Sequence, residues 1–274
     1  MTLHAICDRT DSPPRSDGRG VLAVKRRDAA TVLDRVRTSG ALKLLFPGGR
    51  DPFEAVLINT SGGLTGGDRQ DLQVSVGAGA RMSLTTQAAE RVYRAEAGHA
   101  RVTSRLTVAK DARLDWLPQE LILFDRSALD RHLTCDLAEG ASFLFVEPLV
   151  FGRRLMGETL RQVALSDRVE IRRAGRPLYR DAIRFQGDFQ SHIARTAIGH
   201  GASAMASVVY AAPDAAAHVG PIRLDLPPHA GVSLLQDGCL VARIMAEDSH
   251  LMRRALIPVL ERLSGASLPK SWSL

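Results

Sequence analysis

With 274 residues, 45% of them hydrophobic, the chain lies between one large domain and two average ones and can fill a sizeable core. Its formal charge of +6 suits an acidic protein partner or nucleic acid, but aromatic residues make up only 5%, too few for the stacking platforms of single-strand binders, so the acidic protein is the expected partner. No apolar leader opens the sequence, no window approaches the roughly 20 apolar residues of a membrane span, and Cys7, Cys135 and Cys239 make neither a disulfide framework nor a CxxC motif; a soluble cytoplasmic protein with reduced, buried thiols is expected.

Residues 1–20, rich in Asp, Ser, Pro and Gly, read as a disordered tail ahead of a single β-rich domain over 21–274. The first unusual stretch is Asn-Thr-Ser-Gly-Gly-Leu-Thr-Gly-Gly-Asp over 59–68. Its glycines Gly62, Gly63, Gly66 and Gly67 call for positive φ angles or very close backbone approach. A phosphate loop is excluded, because the spacing that begins at Gly62 ends in Gly67, Asp68 and Arg69 where Lys and Ser or Thr are required. A structural or partner-facing loop is expected instead.

Three segments then share one grammar. Leu72, Val74 and Val76 alternate before a turn ending at Ala80; Val102, Leu106 and Val108 fall in phase before a turn ending at Ala112; Leu133, Cys135 and Leu137 do the same before Ala141. Recurrence at about 30 residues predicts stacked, solenoid-like β layers. Alternation in steps of two puts one strand face inward and one toward water, which argues for antiparallel or mixed sheets and against an α/β fold. Further strands are predicted near 160–165, 169–173, 183–186 and 203–210. About two helices follow: a short one from Asp214 to before Pro221, and an amphipathic one capped by Asp248 or Ser249 and closed by Gly265, with Pro258 as a kink.

No assembled active site is legible. The eight histidines never stand in the i, i+4 or HxH spacing of a preformed metal site, and no GxSxG elbow occurs. The remaining oddity is carboxylates in apolar runs: Glu120 and Asp125 bracket 121–124, and Glu147 interrupts 143–151. Burying a carboxylate costs several kcal/mol unless it is paired, hydrated or bound to a cation. An arginine partner accounts for any one of them; a water-filled passage lined by acids accounts for several together.

The stretches over 57–68, 85–94 (Thr-Thr-Gln-Ala-Ala-Glu-Arg-Val-Tyr-Arg) and 117–125 (Leu-Pro-Gln-Glu-Leu-Ile-Leu-Phe-Asp) resemble the UreD/UreH family of urease accessory proteins. The likeness continues through 147–158 and 176–181 and covers roughly residue 20 to the C-terminus. It implies a non-enzymatic β-rich scaffold that joins UreF and the GTPase UreG, docks on apo-urease and helps insert nickel. No cofactor is held permanently; nickel is in transit. The acidic positions that the resemblance carries over are Glu147 and Asp181, with Asp68, Glu90 and Glu120 behind them. A conduit must release its ion, which fits the missing Cys and His cluster, since such a cage would trap nickel. The alternative is a generic β-solenoid interaction module with no role toward a metal.

Overall fold

The computed structural model describes residues 14–48, 52–153, 156–236 and 238–273. Of the tail expected over 1–20, residues 1–13 lie outside that set, whereas 17–20 already belong to the first strand, β1 (Asp17–Arg27). It is followed by β2 (Ala30–Gly40), β3 (Leu42–Leu45), β4 (Phe53–Asn59), β5 (Arg69–Val76), β6 (Arg81–Thr86), β7 (Glu90–Val92), β8 (Ala100–Val108), β9 (Arg113–Leu117), β10 (Leu121–Leu123), β11 (Ala128–Leu137) and β12 (Ser142–Phe151).

The predicted repeat is a stack of coils. β5, β8 and β11 lie side by side in one sheet, and each turns into β6, β9 or β12, neighbours in a second sheet. Ala80, Ala112 and Ala141 close the three turns, each N–H donating to the carbonyl three residues back, and all three are buried. Successive turns are tied to one another, as Arg113 N–H donates to the Ala80 carbonyl at 2.9 Å and Ser142 N–H to that of Ala112 at 2.9 Å. Only a small side chain fits between layers packed this closely.

The central ladders β1–β5, β5–β8 and β8–β11 are parallel, as are β4–β6, β6–β9 and β9–β12. The sheets are mixed, as expected, with antiparallel pairs flanking these parallel ladders, among them β1–β2 and β3–β4. Alternation usually marks antiparallel sheets because parallel ones are covered on both faces. A coil evades that rule: each strand turns one face toward the opposite sheet and the other to water, with no crossover helix. Val74, Leu106, Cys135 and Ile171 thus form one inward row across the first sheet, facing Leu84, Trp116 and Phe145 of the second in one core.

The chain continues through β13 (Val163–Arg173) and β14 (Arg176–Gly187), which complete the seven-stranded sheet, then α1 (Phe189–Ile193), β15 (Ala204–Ala211), α2 (Ala215–Asp225), β16 (Ala230–Gln236), β17 (Cys239–Ala246) and α3 (Ser249–Ser264). Two stretches predicted as separate strands, near 160–165 and 169–173, fall largely in the one strand β13. α1 was not expected, and α2 runs through Pro221 rather than stopping before it. The α3 prediction holds at both ends, since Asp248 accepts from Leu251 N–H at 2.7 Å and Gly265 is left-handed; the helix is assigned without a break across Pro258. α2 and α3 cover the outer face of the ten-stranded sheet with a second core containing Leu144, Val146, Leu256 and Leu260. β12 is therefore buried on both faces, which accounts for its nearly unbroken apolar run.

Candidate functional site: a polar belt between two cores

A third core, containing Leu129, Leu149, Leu165 and Phe189, lies beyond the first along the same strands. Between the two, six strands each place a polar side chain at the inward position. On β11 Arg131 separates Leu129 from Leu133, and on β13 Asp167 separates Leu165 from Val169. Glu147 stands between Phe145 and Leu149 on β12, and Ser207 between Met205 and Val209 on β15. Asp181 of β14 and Arg243 of β17 hold the corresponding places between Tyr179 and Ile183 and between Val241 and Met245.

The register unites these positions. Arg131 lies opposite Asp167 in the seven-stranded sheet, and Ser207 lies opposite both Glu147 and Arg243 in the other. Arg131 bridges the sheets: its Nε donates to Asp167 Oδ1 at 3.0 Å and its Nη2 lies 2.7 Å from Glu147 Oε1. Arg243 pairs with Asp181, whose second partner is the Tyr179 hydroxyl at 3.0 Å. Ser207 Oγ is buried beside Glu147 with no hydrogen-bond partner among the described residues.

These groups set one another's charge. Burial pushes the Glu147 carboxyl up to about 8, opposed by Arg131 and Arg243 and reinforced by Asp167 and Asp181. Burial also works against the Arg131 guanidinium, but Asp167 and Glu147 outweigh it and hold the group protonated. The Tyr179 hydroxyl is raised by burial and by its acceptor Asp181, so it remains a donor.

On one side the belt opens into a cavity of about 240 Å³ between the sheets, bounded by Glu147 and Arg131 at one end and by Asn59, Gln70 and Glu90 at the other. Glu90 is held by Asn59 Nδ2, 3.1 Å from each carboxylate oxygen, and has no ion-pair partner among the described residues. Burial raises its pKa, with the amides of Asn59 and Gln70 opposing.

The acids expected to act together therefore separate. Glu147 and Asp181 belong to the belt, and Glu90 lies at the far end of the cavity. Glu120 instead pins the C-terminus: Arg253 of α3 donates to its Oε1 at 2.8 Å and to the Trp272 carbonyl at 2.9 Å. Asp68 organises its own loop, accepting from the N–H groups of Ser16 at 2.7 Å and Thr65 at 2.8 Å. Asp125, in the same way, accepts from Arg161 and Gln162 N–H. An arginine partner, one of the two accounts that the sequence leaves open, is present for Glu147, Asp181 and Glu120 alike.

In the glycine loop, Gly62, Gly63 and Gly67 have positive φ and Gly66 does not. Gly66 is required by close approach, because a Cβ there would stand 2.2 Å from the Ala97 carbonyl oxygen. Among the described residues no three His, Cys, Asp or Glu side chains form a metal-holding group; His200 and His229, remote in sequence, stack at 5.5 Å without a third ligand. Nor is any described helix long and apolar enough to cross a membrane.

Arg131, Asp167, Ser207 and Arg243 escaped the sequence reading. Their signal is an interruption of period two, one polar inward position between apolar residues two before and two after. It becomes conspicuous only when six strands are aligned.

The family described as UreD urease accessory protein matches residues 16–273. The chain belongs to the UreD family of urease accessory proteins. Among its relatives, the urease accessory protein UreD of Roseobacter denitrificans is 47% identical over 270 residues, 97% of this chain and 99% of that protein. Those of Ruegeria pomeroyi and Rhizobium leguminosarum bv. viciae are 48% identical over 92% of this chain and 45% identical over all of it, covering 99% and 100% of those proteins. The belt thus belongs to a chain of the UreD family.

Proposed function

We propose that this UreD chain is a non-catalytic cytoplasmic scaffold that joins UreF and the GTPase UreG, docks on the urease apoprotein, and assists nickel insertion by letting the ion cross its polar belt. The observation that supports this reading most is the belt itself, a polar layer contributed by six strands between two apolar cores. A fold of this size gains nothing in stability from buried ion pairs that apolar side chains could replace.

The chemistry suits passage rather than storage. Each belt carboxylate already faces a guanidinium, so an arriving divalent cation competes with a tethered one and is held loosely. Nickel ranks high in the divalent affinity order, which makes weak, oxygen-only contacts the condition for release. Glu90, with amide partners alone, is the acid that the ion meets with least competition. The cavity beside it has room for the water that would keep the ion hydrated, at roughly 30 Å³ of liquid for each molecule.

The test is Glu90→Gln, which retains shape and the Asn59 contact while removing the charge. Stability is expected to change by no more than about 1 kcal/mol, with UreF binding unaltered and the nickel content of urease matured by the variant several-fold lower. Full nickel content with this variant would remove Glu90 from the route. A submicromolar nickel site on the isolated chain would count against loose passage altogether.

A further inference from the structure

We infer that the outer face of the seven-stranded sheet is a docking surface for an acidic protein surface, and, resting on the reading above, that the surface it meets belongs to the urease apoprotein. Among the described residues no helix covers this face; α2 and α3 pack on the other sheet. Its outward positions are crowded with cations. Some are already matched: Arg105 lies 2.6 Å from Asp71, Arg168 3.1 Å from Asp130, and Arg180 2.6 Å from Glu170. Arg37, Arg69, Arg101 and Arg184 are exposed and have no carboxylate partner among the described residues.

Arg69 and Arg101 are direct neighbours across β5 and β8, so two exposed guanidinium groups stand side by side on the outward face of the sheet. Like charges opposed in register are unfavourable in an isolated sheet. A partner's carboxylates would relieve them, and guanidinium forks suit such carboxylates better than ammonium groups do. The two arginines, with Arg19, border a groove of about 420 Å³, and Gln70 and Thr103 belong to its wall and to that of the inner cavity alike. A protein seated on this face therefore lies one sheet thickness from the end of the cavity nearest Glu90.

The pattern selects a protein over nucleic acid. Asp17 and Asp130 flank the arginine pair in the same row, Asp17 opposite Arg69 and Asp130 opposite Arg101. An unbroken phosphate backbone would meet repulsion at both flanks, whereas a folded surface can set acids against the arginines and bases against the aspartates. No Phe, Tyr or Trp occupies an outward position of the central strands β5, β8, β11 and β13 to stack a base.

The experiment measures binding of the full chain to immobilised urease apoprotein at several salt concentrations. It uses wild type, Arg69→Glu/Arg101→Glu, the milder Arg69→Gln/Arg101→Gln, and Arg254→Glu/Lys270→Glu as a control of equal charge change on the opposite side. Melting curves confirm that each variant is folded. Wild-type affinity is expected to fall with salt, the Glu pair to weaken it on the order of tenfold or more, and the Gln pair to weaken it less, with the control near wild type. Binding that survives reversal at Arg69 and Arg101, or falls equally in the control, overturns this assignment and leaves the proposed function standing. Absence of wild-type binding overturns both. Retention of the wild type, but not of the Glu pair, on duplex DNA at physiological salt would reassign the face to nucleic acid.

Discussion

The first core and the polar belt are built from the same strands, two residues apart, and they make opposite choices. Cys135 and Ile171 continue an inward row that excludes water; Arg131 and Asp167, earlier on the same two strands, fill equivalent positions with charge. Backbone geometry does not distinguish the rows, because both lie in regular parallel ladders. The difference therefore reports what the interior is for: the apolar row supplies stability, and the charged row is kept despite its cost.

Breaking the belt at its centre should give the largest effect. Arg131→Met leaves Glu147 and Asp167 buried against each other without a cation, and urea unfolding is expected to show a loss of about 3–5 kcal/mol. Converting the belt into core, with Arg131→Met, Asp167→Leu and Glu147→Leu together, should restore stability to wild type or raise it by about 1–4 kcal/mol. The triple variant should nevertheless mature urease poorly. Full maturation by it would leave the belt as a structural device.

A smaller effect follows from titration. The Glu147 carboxyl is pushed up to about 8 in the fold, from an ordinary value of 4.5, so the folded chain binds more protons than the unfolded one between those limits. Its contribution is fully present below about pH 4.5 and is lost as pH rises through about 8. Stability plotted against pH should fall across this window by up to about 1.4 kcal/mol per unit relative to Glu147→Gln, which has no such proton. Parallel curves for the two proteins would show that Glu147 does not titrate there.

The smallest effect is expected where the same ion pair stands in water. Asp71→Asn breaks the exposed contact with Arg105 and should cost only about 0.2–1 kcal/mol in a denaturant melt, diminishing with salt. A cost equal to that at Arg131 would erase the contrast between face and interior.

Much of the coiled architecture was legible because it is local. A turn that can be closed only by a small residue, preceded by three alternating apolar positions, is written within about ten residues, and its repetition near every thirty declares the stack. The caps of α3 were legible for the same reason, since Asp248 and Gly265 act within one helical turn. The direction of the ladders was not, because period two reports only that a strand has a wet and a dry face, and coils give parallel strands both.

The partner of each buried acid was likewise a matter for the tertiary structure. Glu147 is conspicuous in an apolar run, but nothing in that run says whether its inward neighbour is water, a metal or an arginine, and Arg131 is brought to it from the facing sheet across the turn that joins β11 to β12. Glu120 looks similar in the sequence and ends in a different place, fastened to α3 by Arg253. Sequence determined which residues face inward, because alternation is a property of one strand. Only the closing and stacking of the coils decided which of those inward residues meet, because electrostatic contact depends on distance in space and carries no trace along the chain.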